Sequence, residues 1–163
     1  MSDMQIYVGT YAKYNSGSIA GAWIDLSKHD ESSFWDACAK LHSDESDPEL
    51  MFQDWEGIPS DYICESGLSS EFWEYLEFLD VTHLEAEAVA AGLSLSIPLD
   101  KLEDAYSGKY SSDEEFAMDL ADSCGMVPDD LSWPCKCIDW ELAARDLMYD
   151  YSEESGYYFS SNW

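Results

Sequence analysis

Gln5-Ile-Tyr-Val-Gly-Thr-Tyr11 is a run of β-branched and aromatic residues, Ser18 to Leu26 has the same character, and Asn15-Ser16-Gly17 lies between them. Such residues favour the pleated surface of a strand and Asn-Ser-Gly supplies turn chemistry, so the stretch predicts a β-hairpin. Beyond it, Ser32 or Ser33 is placed to cap a short helix through Phe34, Trp35, Cys38 and Leu41. An acidic loop from Ser43 to Glu49 follows, Leu50 to Trp55 reads as a returning strand, and Gly57-Ile58-Pro59 closes a β-rich N-terminal subdomain over residues 1–59.

From residue 60 the period changes. Glu71-Phe-Trp-Glu-Tyr-Leu-Glu-Phe-Leu79 puts Phe72, Leu76 and Leu79 on one helical face and Glu71, Glu74 and Glu77 at i, i+3, i+6, with Ser69 or Ser70 before it. Phe72, Trp73, Leu76 and Leu79 read as core. Thr82 with Glu85 fits a capping box for a second helix that Gly92 would end, giving a central helical subdomain over 60–99. In the remaining 100–163, Ser112 caps the acids Asp113, Glu114 and Glu115, and Gly125 ends that helix. Asp139 opens another running to about Tyr151, and Gly156-Tyr-Tyr-Phe159 reads as a strand. The class is therefore α+β, built from three small subdomains.

Charge is distributed unevenly along this frame. The 163 residues carry 35 Asp and Glu against 7 Lys and Arg, a net charge of −28, yet 46% are hydrophobic and 15% aromatic. Acidic disordered chains lack the apolar residues to form a core; this one has them. Met1–Lys40 has net charge −2, Leu41–Asp100 has 15 acids and no base, and Lys101–Trp163 has net charge −11. Salt adaptation would spread acids over the whole length. Self-repulsion opposes compaction, so the field itself is the feature that calls for a function.

Several classes are disfavoured. Phosphate recognition runs on Lys and Arg, so direct nucleic-acid binding is excluded, and anionic lipid would repel the chain. No run is long and apolar enough to span a membrane and none resembles a signal peptide, which points to the cytoplasm. Cys38, Cys64, Cys124, Cys135 and Cys137 are odd in number and lack framework spacing, so reduced thiols are expected; the Cys135/Cys137 pair lacks the two further ligands a zinc site needs. The Asp44 loop has no glycine at the position a calcium loop demands. His29, His42 and His83 accompany no nucleophile motif and read as surface or packing residues, and no Walker or dinucleotide fingerprint is present. No catalytic residue, metal or cofactor is assigned.

What remains is imitation of a polyanion. Duplex DNA carries one charge per about 1.7 Å, so one chain matches about 14 base pairs and a dimer about 28. Carboxylates at i, i+3 on a helix lie about 4.5 Å apart along its axis, a linear density approaching that of one DNA strand. Glu71, Glu74, Glu77 and Asp80 are the leading candidates, continued by Glu115, Asp119 and Asp122. The wider candidate surface adds Asp44, Glu45, Asp47, Glu49, Asp61, Glu65, Glu85, Glu87, Asp146 and Asp150. Competing readings are an acidic chaperone or inhibitor of another basic DNA-binding protein, and a small metal-assisted hydrolase.

Three stretches resemble a known family. Ile6-Tyr-Val-Gly-Thr-Tyr-Ala-Lys-Tyr-Asn-Ser-Gly-Ser-Ile-Ala-Gly-Ala-Trp-Ile-Asp-Leu26, Gln53-Asp-Trp-Glu-Gly-Ile-Pro59, and Ile138-Asp-Trp-Glu-Leu-Ala-Ala-Arg-Asp-Leu147 with Asp150-Tyr151 are similar to the ArdA antirestriction proteins. The resemblance implies an elongated protein of three subdomains, not an enzyme, that forms homodimers through its C-terminal part. It further implies mimicry of B-form DNA, occupation of the DNA-binding groove in the modification core of type I restriction-modification enzymes, and carriage on mobile genetic elements. Pro128-Asp-Asp-Leu131 followed by Ser132-Trp-Pro-Cys-Lys-Cys137 departs from the family pattern beside the expected dimer region.

Overall fold

The computed structural model describes residues 4–127 and 132–163; Pro128–Leu131 lie outside the described residues. The chain divides into two compact units, Met1–Val81 and Thr82–Trp163. Both combine short helices with small antiparallel sheets, which is the α+β class that the alternation of strand and helix periods predicts.

In the first unit, β1 (Gln5–Thr10) leads into α1 (Tyr11–Asn15), followed by β2 (Ala22–Asp25), α2 (Glu31–Leu41) and β3 (Leu50–Glu56). β1 is the middle strand of the order β2-β1-β3, antiparallel to both neighbours. The expected pairing of the first two strands is present, but no tight turn joins them. Thr10 caps a turn of helix instead, its hydroxyl accepting from Lys13 N, and Gly17 takes φ +82° beyond it. Gly21 then passes so close to β1 that a Cβ there would lie 2.3 Å from the Val8 carbonyl oxygen. α2 is capped by Asp30 rather than Ser32 or Ser33. The Asp30 carboxylate accepts from Ser33 N while the Ser33 hydroxyl accepts from Asp30 N, a reciprocal pair that satisfies two otherwise orphaned donors.

A two-stranded hairpin, β4 (Ile63–Cys64) and β5 (Gly67–Leu68), and α3 (Glu71–Val81) complete this unit. Its core mixes aromatic and aliphatic side chains: Phe34, Phe52 and Phe72 are buried with Ile6, Val8 and Leu26. Trp73 brings α3 into that cluster, its ring 5.7 Å from Phe34, while Tyr62 stacks on Tyr75 at 5.2 Å. Each fully buried Phe contributes about 1.5–3 kcal/mol of hydrophobic stabilisation, which offsets repulsion among the acids above it.

The second unit contains α4 (Ala86–Ser94), α5 (Leu102–Ala105), β6 (Tyr106–Lys109), α6 (Asp113–Ser123), α7 (Trp140–Leu147), β7 (Tyr151–Glu154) and β8 (Tyr157–Ser160). Its sheet has the order β6-β8-β7, all antiparallel. β8 is central, and Tyr157, Tyr158 and Phe159 are all buried, so both of its faces are covered. Phe159 closes on Gly92 of α4; Tyr158, one residue away and pointing to the other face, meets Phe116 of α6 at 4.7 Å.

Helix ends here correct three expectations. Thr82 and Glu85 form no capping box: the Thr82 hydroxyl donates to Glu103 and accepts from Leu84 N, and Glu85 at the N-cap makes no cap bond. Gly92 does not end α4. Ser96 does, in the left-handed region at φ 63°, with Ser96 N bonded to Leu93 O and Ile97 N to Gly92 O. Gly92 serves packing instead, since a Cβ there would lie 2.1 Å from Leu102 Cδ2. α7 ends at Leu147, and Tyr151 opens β7 rather than closing the helix. Ser112, Gly125 and Asp139 act as expected. Ser112 and Asp139 cap through N3, and Gly125 at φ +66° carries the paired bonds Gly125 N to Asp122 O and Met126 N to Ala121 O.

Candidate functional site

The acids form a skin over apolar cores. Every described Asp and Glu is exposed except Asp25, Glu45 and Glu114, which are half-buried. Asp44, Glu45, Asp47 and Glu49 lie in the loop after α2, Asp61 and Glu65 beside the β4–β5 hairpin, and Glu71, Glu74, Glu77 and Asp80 on α3. Glu85 and Glu87 stand at the start of α4, Glu115, Asp119 and Asp122 on α6, Asp146 on α7, and Asp150 just before β7.

On α3 the four acids do not make a straight row. Each i, i+3 step turns by about 60° around the axis as well as rising about 4.5 Å, so Glu71 and Asp80 flank the buried Phe72–Tyr75 face while Glu74 and Glu77 occupy its outer side. Glu74, Glu77 and Asp80 make no hydrogen bond or ion pair among the described residues. They form a solvent-exposed band of charge around the outer side of α3.

Other carboxylates are held. Tyr110 OH donates to Asp119 Oδ2 at 2.7 Å, Tyr157 OH to Glu85 Oε2 at 3.0 Å and Tyr158 OH to Asp113 Oδ1 at 2.7 Å. Burial and its carboxylate partner push the Tyr110 phenol up to about 12, and the same two causes raise Tyr158 further. The Glu115 carboxylate accepts from Ser111 N at 2.8 Å and from its hydroxyl, bonds that hold its carboxyl below the usual range. Asp25 is drawn down to about 2, first by the Lys28 ammonium at 2.7 Å and then by the Ser27 hydroxyl.

One acid cluster has metal-like geometry. Ligand atoms of His42, Asp44 and Glu45 lie within 4.8 Å of one another. The Lys13 ammonium, however, sits among them, 3.0 Å from His42 Nδ1, 2.9 Å from Asp44 Oδ1 and 3.4 Å from Glu45 Oε1. The protein thus carries its own cation where a metal would bind. Bases gather elsewhere on this unit too: an open groove of about 370 Å³ between β2 and α2 is bordered by Lys28, His29 and Lys40 beside Trp23.

The described thiols sit in contrasting settings: Cys64 is exposed, and hydrogen bonds from the Ser66 backbone and hydroxyl hold its thiol below the usual range. Cys38 is buried and its thiol is pushed up to about 12, which makes it inert. A surface this heavily charged suits binding, and the sequence match is consistent with that. The family model for antirestriction protein (ArdA) matches residues 6–159. The chain belongs to the ArdA antirestriction family. No curated protein matches it. ArdA membership implies antirestriction, the inhibition of type I restriction-modification enzymes by a binding protein rather than by catalysis. No helix among the described residues is long and apolar enough to cross a membrane.

Sequence patterning alone did not single out Asp113, the three tyrosines or Lys13 as parts of this surface. The signal available for the tyrosines was Gly156-Tyr-Tyr-Phe159 itself: consecutive aromatics in one strand bury both faces, and a buried phenol needs a partner.

Proposed function

We propose that this ArdA chain inhibits type I restriction-modification enzymes by presenting its carboxylates in place of DNA phosphates to the DNA-binding groove of the modification core. The observation that carries this reading is the placement of the acids. Fifteen fall between Leu41 and Asp100 without one Lys or Arg, and those in the described residues sit at the surface of folded, apolar-cored units rather than in a tail. A groove lined with Lys and Arg responds to such a field as it does to DNA.

Homodimerisation through the C-terminal part belongs to the same proposal, because about 14 base pairs of charge per chain is short for such a groove. Met126, Trp133, Leu142 and Tyr149 are exposed large apolar residues in the second unit, and they support an interface there. Carriage on a mobile genetic element is proposed from family membership alone. The metal-assisted hydrolase reading loses ground because Lys13 fills the cluster of His42, Asp44 and Glu45.

The test is displacement. Titrating the protein into a purified type I enzyme loaded with labelled DNA should release the DNA stoichiometrically and without turnover. Inhibition that leaves the DNA bound, or that needs only catalytic amounts of the protein, would refute the mimic.

A further inference from the structure

We infer that Tyr110, Tyr157 and Tyr158 are positioning residues that hold Asp119, Glu85 and Asp113 in fixed places for recognition by the restriction enzyme. The inference rests on the proposed DNA-mimic reading and deepens it by separating carboxylates that are placed from those that only contribute field.

The geometry differs from ordinary surface contacts. Tyr157 and Tyr158 are buried in the central strand, only their hydroxyls reach carboxylates, and those partners are 72 and 45 residues away in sequence. Tyr110 is fixed by Phe116 at 5.1 Å and by Tyr158 at 5.6 Å, and its hydroxyl reaches Asp119 on the next turn of α6. Adjacent residues of β8 point to opposite faces, so one strand anchors acids on both sides of the sheet: Glu85 at the start of α4 and Asp113 at the start of α6. Tyr157 is itself held, accepting from Lys109 Nζ at 3.0 Å. An acid bonded this way has lost its rotamer freedom before it meets a partner. Free acids such as Glu74 and Glu77 must be ordered on binding, which weakens affinity. Serine and backbone contacts elsewhere, such as Glu153 to Gly156 N at 2.6 Å, stay within one hairpin or loop and serve that local geometry.

Tyr→Phe at each position removes one hydroxyl and no charge. Single variants Tyr110→Phe, Tyr157→Phe and Tyr158→Phe should each weaken DNA displacement from the type I enzyme about two- to tenfold, with the salt dependence of inhibition unchanged because the charge is unchanged. A double-mutant cycle supplies the readout that a merely structural role would not move. In an Asp113→Asn background Tyr158→Phe should cost no further affinity, whereas a general loosening of the sheet costs the same in both backgrounds. Folding is checked by circular dichroism on every variant. If the Tyr→Phe variants displace DNA as well as the parent while Glu85→Gln, Asp113→Asn and Asp119→Asn weaken displacement, positioning is overturned and mimicry stands. If the amide variants are also silent, these acids lie outside the contact and the inference is overturned. If neutralising the α3 acids is silent as well, the mimic reading fails with it.

Discussion

The Lys13 ammonium lies 3.0 Å from Nδ1 of His42, a ring whose Nε2 is 3.2 Å from the Val8 carbonyl. A carbonyl only accepts, so Nε2 carries the proton and Nδ1 receives the ammonium's N–H, which fixes a neutral tautomer. Thr10 adds a bond from its hydroxyl to Glu45 at 2.7 Å. One lysine therefore joins β1, α1 and the acidic loop after α2, in a surface where bases are scarce. Lys13→Met should lower the thermal midpoint by several degrees, because it leaves two carboxylates and an imidazole lone pair facing one another. Lys13→Ala should also gain affinity for Zn²⁺ over the parent in calorimetric titration, as the three ligand atoms are then vacated. A parent that binds Zn²⁺ equally well would show that the ammonium does not occupy the site.

Acid stability should depend on Asp25. Its carboxyl falls from the ordinary 3.8 to about 2 on folding, so the stabilisation it gives is fully present above pH 3.8 and lost as pH falls through about 2. Asp25→Asn should remove that component, leaving a shallower fall in stability across this window in denaturant titrations. A fall as steep as the parent's would assign the acid sensitivity elsewhere.

At the alkaline end the sign reverses. Tyr110 is raised on folding from 10.0 to about 12, so its contribution is complete below pH 10 and disappears as pH rises through about 12. Ultraviolet titration should show Tyr110 ionising late, and Asp119→Asn should bring it only part of the way back because burial is the larger cause. Full recovery of the ordinary value in that variant would make the hydrogen bond, not desolvation, the main cause.

Gly92→Ala tests close packing against helix propensity. Alanine favours a helix interior by about 1 kcal/mol over glycine, but its Cβ would meet Leu102 Cδ2 at 2.1 Å and Phe159 Cε1 at 3.2 Å inside the second core. Overpacking of that kind destabilises by about 1–3 kcal/mol. The denaturation midpoint should fall, with no change in m; a rise would mean that Leu102 has room to move.

For the α3 acids, change by change and in combination should give different answers. Glu74→Gln alone should alter inhibition less than about threefold, as exposed charges act weakly one at a time. Replacing Glu71, Glu74, Glu77 and Asp80 together should weaken it severely, reduce its salt dependence, and leave the fold intact or firmer as repulsion is relieved. A single null among well-folded variants would indicate catalysis.

Element types were legible in this sequence because their signals are local. β-Branched runs, a hydroxyl three residues before a backbone donor at Ser112, and a glycine just past a periodic segment at Gly125 each report a geometry decided within one turn. Two of the failures involve longer reach. Thr82 had the spacing of a capping box, but Glu103 took its hydroxyl. Gly92 looked like a terminator, but Leu102 and Phe159 need the space. The acidic character of the surface was evident from charge counting, whereas the division between free and anchored carboxylates was not, since two of the three anchoring phenols come from β8, which the fold brings in from 45 and 72 residues away.

β8 pairs with both β6 and β7, yet it is the last of the three to be synthesised. On a ribosome the first unit's sheet can close once Glu56 has emerged, while β6 has no neighbour until Tyr157–Ser160 arrive. For roughly fifty residues of elongation the second unit is a nascent polyanion without its central strand, kept from aggregating by the same charge that later makes it a ligand.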